Sequence, residues 1–598
     1  MPNQQYTVND YPVGTVLTWI QHKEIAIPEI QRPFVWKAAK VRDFIDSLYQ
    51  GYPVGYLITW RAPDVRLKDG TQSVGKRVLI DGQQRVISLR AALLRQEVVD
   101  KNYKRVPIVI AFHPIEKRFE VANSAIRKDL EWISDISTIF NPNFKVLNFL
   151  DKYCNDNEGV DRDETYNSIH RLQSIRNNTL GIIELAPDLD VETVTEIFVR
   201  INSKGVILNA SDFAMSKIAS GEQYDGHQLR KCIDYFCYLS NSPEAYSKLA
   251  ADDDFVNTEY FRRMEWLKNW RNDLYIPSYT DLLRVSFMIE FQRGRLRDLV
   301  ALLSGRNFDT RNFEEEIAED SFCRLKNGLM RYINKTNFKR LIMILESAGF
   351  VDSSIINSMN AVNFAYALYL MLHAEGIDPQ KIEQLVRRWF VMSILTGRYT
   401  GTPETAFDED IRNINTRGTS KYLTIVEQTD LSDTFWDVAL PQQMETSSSK
   451  SPYFNVFLAS QVKANNNGFL SRDITTRTLL EGRADIHHIF PRSYLQSYNF
   501  AARDYNQIAN LVVMQQEINI AISNQPPATY FSALTEGAID KKPAFGSGID
   551  DFDELQANLY AHCIPSDMET ATFEDYTKFL EERRKLMATK IRDYYRSL

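Results

Sequence analysis

Residues 1–220 mix two hydrophobic periods. Val78-Leu79-Ile80 and Pro107-Ile108-Val109-Ile110 are short, unbroken apolar runs of the kind that buried strands show. Residues 40–48 and 86–94 place apolar side chains at helical spacing, and residues 192–201 predict a further helix ending near Gly205. From about residue 221 to residue 440 the pattern turns mostly helical. Residues 338–345, 362–372 and 381–395 repeat apolar positions every three or four residues. Their aromatic stripes suit core packing first and base stacking second. Within this stretch, Arg388-Trp389-Phe390 through Leu395-Thr396-Gly397-Arg398-Tyr399 predicts a helix that packs and ends at Gly397. A polar run follows, Glu445-Thr446-Ser447-Ser448-Ser449-Lys450-Ser451-Pro452, suited to a linker or exposed loop. Then comes a compact segment at 453–535, and residues 570–598 predict a charged amphipathic helix. The pattern gives an α+β multidomain protein with expected divisions at 1–220, 221–445 and 446–598, the middle part mostly helical.

Composition narrows the class. A chain of 598 residues, 44% hydrophobic and 25% charged, buries several cores without needing a disulfide or a metal to hold them. Its five cysteines (Cys154, Cys232, Cys237, Cys323, Cys563) form no CxxC pair, which argues against a cysteine-built zinc site and fits a reducing cytosol. Met1-Pro2-Asn3-Gln4-Gln5 lacks the basic-then-apolar order of a signal peptide, and no apolar run is long enough to span a bilayer. The expectation is a cytoplasmic protein with no membrane partner. A net charge of −8 looks wrong for a DNA-binding chain, yet residues 1–110 carry 16 Lys and Arg against 10 Asp and Glu. Net charge does not exclude a nucleic-acid partner.

The sharpest chemistry lies in Asp485-Ile486-His487-His488-Ile489-Phe490-Pro491, where two of only eight histidines are adjacent. Phosphodiester hydrolysis needs a base to activate water and a cation to stabilise charge on the phosphate. Neighbouring residues of an extended segment point to opposite sides, so the two imidazoles take different tasks. One can ligate metal while the other faces the attacking water. Downstream, Asn510 sits where a loop runs into the apolar strand Leu511-Val512-Val513, and Asn519 follows nine residues later at a helix start. Strand, loop, strand, helix is the ββα-metal frame, and the segment resembles the HNH nuclease superfamily in its His-Asn-Asn form. The resemblance implies His487 as a metal ligand and His488 as the catalytic general base. It implies Asn510 as the brace of the catalytic loop and Asn519 as the second metal ligand. Two protein ligands suit Mg²⁺, which keeps several waters, and an imidazole tolerates Mn²⁺ or Ni²⁺. Asparagine where histidine is commoner leaves the metal open, and Asp485 or Asn524 offers an additional ligand.

A second constellation is Val78-Leu79-Ile80-Asp81-Gly82-Gln83-Gln84-Arg85-Val86-Ile87. A buried strand, a tight glycine turn and a helix beginning near Gln83 present free backbone N–H groups, with Arg85 in the first turn as an anion partner. Gln83 and Gln84 add amide donors, and Asp81 can hold the turn or a cation. Upstream, Gln31 and Arg32 lie between apolar and aromatic anchors in Ile30-Gln31-Arg32-Pro33-Phe34. Together these stretches resemble the ParB/sulfiredoxin-like nucleotide-binding domain with its DGQQR motif, as in the GmrS half of GmrSD-type restriction enzymes. A third stretch, Ile197-Phe198-Val199-Arg200-Ile201-Asn202-Ser203-Lys204-Gly205, followed by Asp212, resembles that family's segment beside the nucleotide pocket. That places Arg200 and Asn202 with Gln31, Arg32, Asp81, Gly82, Gln83, Gln84 and Arg85 as nucleotide-binding residues.

The resemblance, with the HNH segment as the GmrD half, implies a modification-dependent (type IV) restriction endonuclease acting on phage DNA. Its expected partners are modified double-stranded DNA and a nucleoside triphosphate, with NTPase activity at the N-terminal pocket and a divalent metal at the histidines. The same domain pairing occurs in SspE-like proteins, which nick phosphorothioate-modified DNA. One active site per chain leaves the oligomeric state open, a homodimer being what double-strand cleavage asks for. Two readings of other kinds stand beside it: a nucleotide-dependent DNA-binding protein with an inactive nuclease domain, and a toxin that cuts RNA on the same frame.

Overall fold

The structure, a computed structural model, describes residues 5–22, 24–26, 36–60, 77–99, 105–187, 189, 197, 210–482 and 486–598. The chain forms two compact units: Met1–Val256 with Leu299–Phe322, and Asn257–Asp298 with Cys323–Leu598. Residues 221–445 are thus shared between the units. The mixture of helices and small sheets agrees with the expected α+β class. Among the described residues no helix is long and apolar enough to cross a membrane.

The first unit is built on a mixed sheet of β1 (Tyr6–Pro12), β2 (Ile25–Ala26), β3 (Leu57–Trp60), β4 (Arg77–Asp81) and β9 (Thr179–Leu185), in the order β1-β9-β3-β4-β2. β1 runs antiparallel to β9, β9 parallel to β3, β3 antiparallel to β4, and β4 parallel to β2. Alternation along β4 explains its unbroken apolar run. Leu79 joins the main core with Leu57, Val41, Ile45 and Leu89, while Val78 and Ile80 join Ile58, Trp60 and Leu185 in a second core. A strand covered on both faces has no polar face to show. The helices Ala38–Gln50 and Gln83–Leu94 contain the two helical segments expected here. Short strands β5 (Val98–Val99) and β6 (Arg105–Val106) pair, as do β7 (Ile110–His113) and β8 (Arg118–Val121). Of residues 107–110, expected as a strand, only Ile110 belongs to β7, with Val109 accepting from Ala122 N–H at 3.0 Å beyond the strand's start; Pro107 has no N–H to offer a ladder. The helix expected at 192–201 lies outside the described residues except for Ile197.

The second unit is helical around Met359–Ala374, in which every residue from 361 to 372 is buried. A helix apolar on all sides belongs at a core's centre. Beside it, Pro379–Leu395 starts on an Asp378 cap that accepts from the N–H groups of Gln380 and Lys381. It stops before Gly397, whose φ of 60° ends the helical path. Beyond that turn, Arg398 reaches the wholly buried carboxylate of Asp410, Nε to Oδ2 at 2.9 Å. Tyr399 and Tyr422 each donate a hydroxyl to the same carboxylate, at 2.8 and 2.9 Å. The polar run 445–450 is a surface loop, as its composition predicts. Its Thr446 carbonyl accepts from Ile508 N–H at 2.9 Å, so the loop is pinned to the segment that follows the histidine pair.

Candidate functional site

In the second unit, β10 (Ile486–His488) pairs antiparallel with β11 (Leu511–Val513), with His487 opposite Val512 and His488 opposite Leu511. The helices Arg492–Ser497 and Ala502–Tyr505 fill the connection, and Gln516–Ile522 follows β11. Because side chains alternate along a strand, His487 and His488 leave opposite faces of the hairpin.

His488 is the better defined of the pair. Its Nε2 lies 2.9 Å from Asn506 Oδ1. An amide oxygen can only accept, so Nε2 carries the proton and Nδ1 keeps the lone pair. Burial pushes the imidazole pKa below its usual value; the Asn506 bond opposes that shift and the nearby Arg492 charge adds to it. The ring also meets Tyr505 edge-on at 6.1 Å. At neutral pH this is an uncharged base held in one tautomer.

Asn510 is wholly buried behind it and locks the turn that leaves β10. Its Oδ1 accepts from Phe490 N–H at 2.8 Å, and its Nδ2 donates to the carbonyls of Phe490 and Tyr505 at 3.1 and 3.0 Å. Its own carbonyl accepts from Ile489 N–H at 2.8 Å. The side chain uses both ends of its amide, which neither Asp nor Leu reproduces. Arg583, on the C-terminal helix Tyr576–Arg596, is also wholly buried. It donates from Nη1 to the carbonyls of Ala509 and Leu511, at 2.7 and 3.0 Å, on either side of Asn510. Its other nitrogens reach the His562 carbonyl, and burial lowers its pKa to about 10.

His487 is 8% exposed, and Asn519 is half-buried in the helix Gln516–Ile522. Asn524 lies in the exposed turn after that helix, and Asp485 lies outside the described residues. Among the described residues no group of three or more His, Cys, Asp or Glu gathers. The donors that the sequence suggests for a metal are one imidazole, His487, and one amide oxygen, Asn519. That chemistry fits a divalent ion which keeps most of its water shell and takes oxygen from a phosphate.

Sequence reasoning missed Asn506 and Arg583. The only signal for Asn506 is a second amide four residues before Asn510; Arg583 is hidden in the run Glu581-Glu582-Arg583-Arg584-Lys585, which reads as a solvated face.

In the first unit, Asp81 ends β4 and Gly82 caps the helix Gln83–Leu94 with φ 97°, where any Cβ would run into Leu57. Gln84 Oε1 accepts from Trp36 N–H at 3.3 Å. Arg85 Nη1 donates to the Tyr56 carbonyl at 2.9 Å and pairs with Asp81 Oδ2 at 3.6 Å, leaving the side chain 24% exposed. Gln83 is 4% exposed, and its Oε1 has no hydrogen-bond partner among the described residues. A buried acceptor beside a glycine turn fits a ligand that brings a hydroxyl, an amine or a hydrated cation. Gln31, Arg32, Arg200 and Asn202 lie outside the described residues; Asp212 is buried in the helix Ala210–Ser220.

Comparison with known proteins adds two likenesses. An uncharacterized protein of Methanocaldococcus jannaschii is 22% identical across 95% of this chain and 96% of its own length. Residues 9–219, which hold the Asp81–Arg85 turn, match the family model described as the N-terminal domain of the GmrSD restriction endonuclease.

Proposed function

We propose that this chain is a metal-dependent endonuclease that cuts modified DNA in defence against phage, under the control of a nucleoside triphosphate. The observation that carries the reading is the held imidazole: His488, uncharged, fixed in one tautomer by Asn506 on a turn clamped by Asn510. Its Nδ1 takes a proton from the attacking water, and the Asn506 bond at Nε2 steadies the imidazolium that results. Asn510 keeps the turn from drifting, since small misplacements of a catalytic group are costly in rate. His487 and Asn519 would hold a divalent ion such as Mg²⁺, with Mn²⁺ or Ni²⁺ as substitutes, which supplies charge stabilisation at the phosphate and leaving oxygen. The HNH and ParB/sulfiredoxin-like folds, the NTPase step and a homodimer for double-strand cuts belong to the same proposal. The N-terminal family match supports a restriction-type nuclease with DNA as substrate.

The test is cleavage of unmodified, glucosylated hydroxymethylated and phosphorothioate duplexes and of structured RNA, each with and without Mg²⁺ and nucleoside triphosphate. Cutting of modified duplex that EDTA abolishes and nucleotide stimulates is expected. Cutting of RNA alone, or of duplex in EDTA at the same rate, contradicts it.

The lowered pKa sets the pH dependence. A base must be unprotonated to act, and one whose pKa lies below the usual 6.5 stays so to lower pH. The acid limb of kcat/KM should therefore fall below pH 6.5, with a plateau through neutrality. Asn506→Leu should lower the plateau by at least about tenfold, since the tautomer is no longer fixed. An acid limb above pH 7 in the wild type contradicts this assignment of the base.

A further inference from the structure

The second unit holds a cleft that the hairpin chemistry does not use. The helix Glu259–Met264, the 3-10 turn Glu265–Asn269 and the start of the helix Lys335–Ser347 enclose an open volume of about 570 Å³. Its lining has five cations against one carboxylate, Glu265, in a chain whose net charge is −8. Not all five are equal. Lys268 pairs with Glu265 at 2.7 Å, and Arg263 with Glu259 at 2.8 Å. Arg262 and Lys335 are exposed and have no carboxylate partner among the described residues. Lys339 stands 4.7 Å above the ring of Trp270.

The floor is aromatic. Trp266 and Trp270 meet edge to face at 5.7 Å, both half-buried. Trp266 packs against Phe338, and its indole N–H donates to the Ile333 carbonyl at 3.3 Å, so its place is fixed by the core. Trp270 and Lys339 also line an adjoining cleft of about 430 Å³, where four carboxylates, Asp273, Glu346, Asp352 and Glu481, outnumber the two cations Arg271 and Lys339. Glu481 ends the helix Thr476–Glu481, five residues before β10 begins. Trp270 therefore stands between a basic cleft and an acidic one.

Unpaired cations beside a ring open to two clefts match a ligand with repeated phosphates and a flat face. Phosphates favour the basic side and are repelled from the acidic one, while an aromatic base stacks without regard to its identity. We propose that this cleft binds a single nucleic-acid strand, its phosphates on Arg262, Lys335 and Lys339 and a base on Trp270. The choice of DNA as that strand rests on the endonuclease reading; the cleft itself does not. It would hold an unpaired segment of strand apart from the histidine hairpin.

The test reads binding and leaves cleavage aside. The full chain carrying His488→Ala, in EDTA, is titrated with a fluorescein-labelled 12-nucleotide single strand while indole fluorescence is followed. Saturable binding with indole quenching is expected. Trp270→Ala should weaken it about tenfold, and Trp270→Phe should restore most of that loss, because stacking tolerates a change of ring. Arg262→Glu and Lys335→Glu alter exposed side chains; each should weaken binding and reduce the steepness of its salt dependence by about one charge. Unchanged affinity in both charge variants overturns the cleft, whether or not the wild type cuts DNA. Loss in the charge variants with none in Trp270→Ala, or equal indole quenching by inorganic polyphosphate, overturns the base contact. If all variants behave as expected but no substrate is cut by the wild type, the endonuclease reading fails and the cleft stands.

Discussion

His488→Ala should lower the rate of DNA cleavage by roughly two to four decades, the usual cost of losing a general base. Such a loss is about 3–5 kcal/mol of transition-state stabilisation, more than any other single change at the hairpin should produce through chemistry alone. The variant isolates the chemistry because the His488 side chain reaches Asn506 and Tyr505, while alanine keeps the backbone that pairs with Leu511. Asn510→Ala is a poorer probe: it strands three buried hydrogen-bonding groups of Phe490 and Tyr505, at about 1–3 kcal/mol each, and the hairpin itself would suffer. The roles of the two histidines separate in a metal titration. His487→Ala and Asn519→Ala should recover part of their activity at high Mg²⁺ or Mn²⁺, because weakened binding yields to mass action. His488→Ala should not, since no concentration of metal replaces a missing proton acceptor. Identical responses from all three variants, with circular dichroism unchanged, would sink the division of labour.

What the sequence shows and what it hides follow from the range over which each feature is decided. β4 is legible because a strand packed on both faces must be apolar at every position, and Val78, Leu79 and Ile80 are. The turn at Gly82 is local in its φ of 97°, which favours glycine, while the nearness of Leu57, a further bar to any side chain, comes only with the fold. Positions of His488, Asn510 and Asn519 on a strand, at the entry to a strand and in a helix are also read from a few neighbours. Asn506 is different. Its contact with His488 spans 18 residues and exists only once two short helices fold between β10 and β11. Arg583 hides for the opposite reason. Its charged neighbours suggest water, whereas its guanidinium is wholly buried among backbone carbonyls drawn from residues 509, 511 and 562. The basic cleft joins Arg262 to Lys335 across more than seventy residues, so no local pattern announces it.

Asp410→Ala should destabilise the second unit by about 3–5 kcal/mol, the usual cost of removing one partner of a buried ion pair. The carboxylate is wholly buried and answers three donors: the Arg398 guanidinium and the hydroxyls of Tyr399 and Tyr422. Truncation leaves a cation and two hydroxyls facing a space with no acceptor. Arg398 keeps two ties, to Asp430 at 3.2 Å and to the Tyr422 hydroxyl at 2.9 Å, but that carboxylate is one-third exposed and the hydroxyl carries no charge, so little of what is lost is replaced. The damage should spread along the helix Pro379–Leu395, because Trp389 donates its indole N–H to the Tyr399 hydroxyl at 2.9 Å. With two units in the chain, a single unfolding midpoint would blur the effect. Hydrogen exchange of the peptides covering residues 379–395 reads it locally, where the expected loss appears as roughly a hundredfold or greater drop in protection. Asp410→Asn keeps an acceptor for a tyrosine hydroxyl but drops the charge, and should fall between wild type and alanine. Adding Arg398→Met to Asp410→Ala removes the stranded cation, so the pair should cost less than the two single changes summed. Protection within about a factor of five of wild type in Asp410→Ala would show that the buried carboxylate is not what holds this corner of the unit.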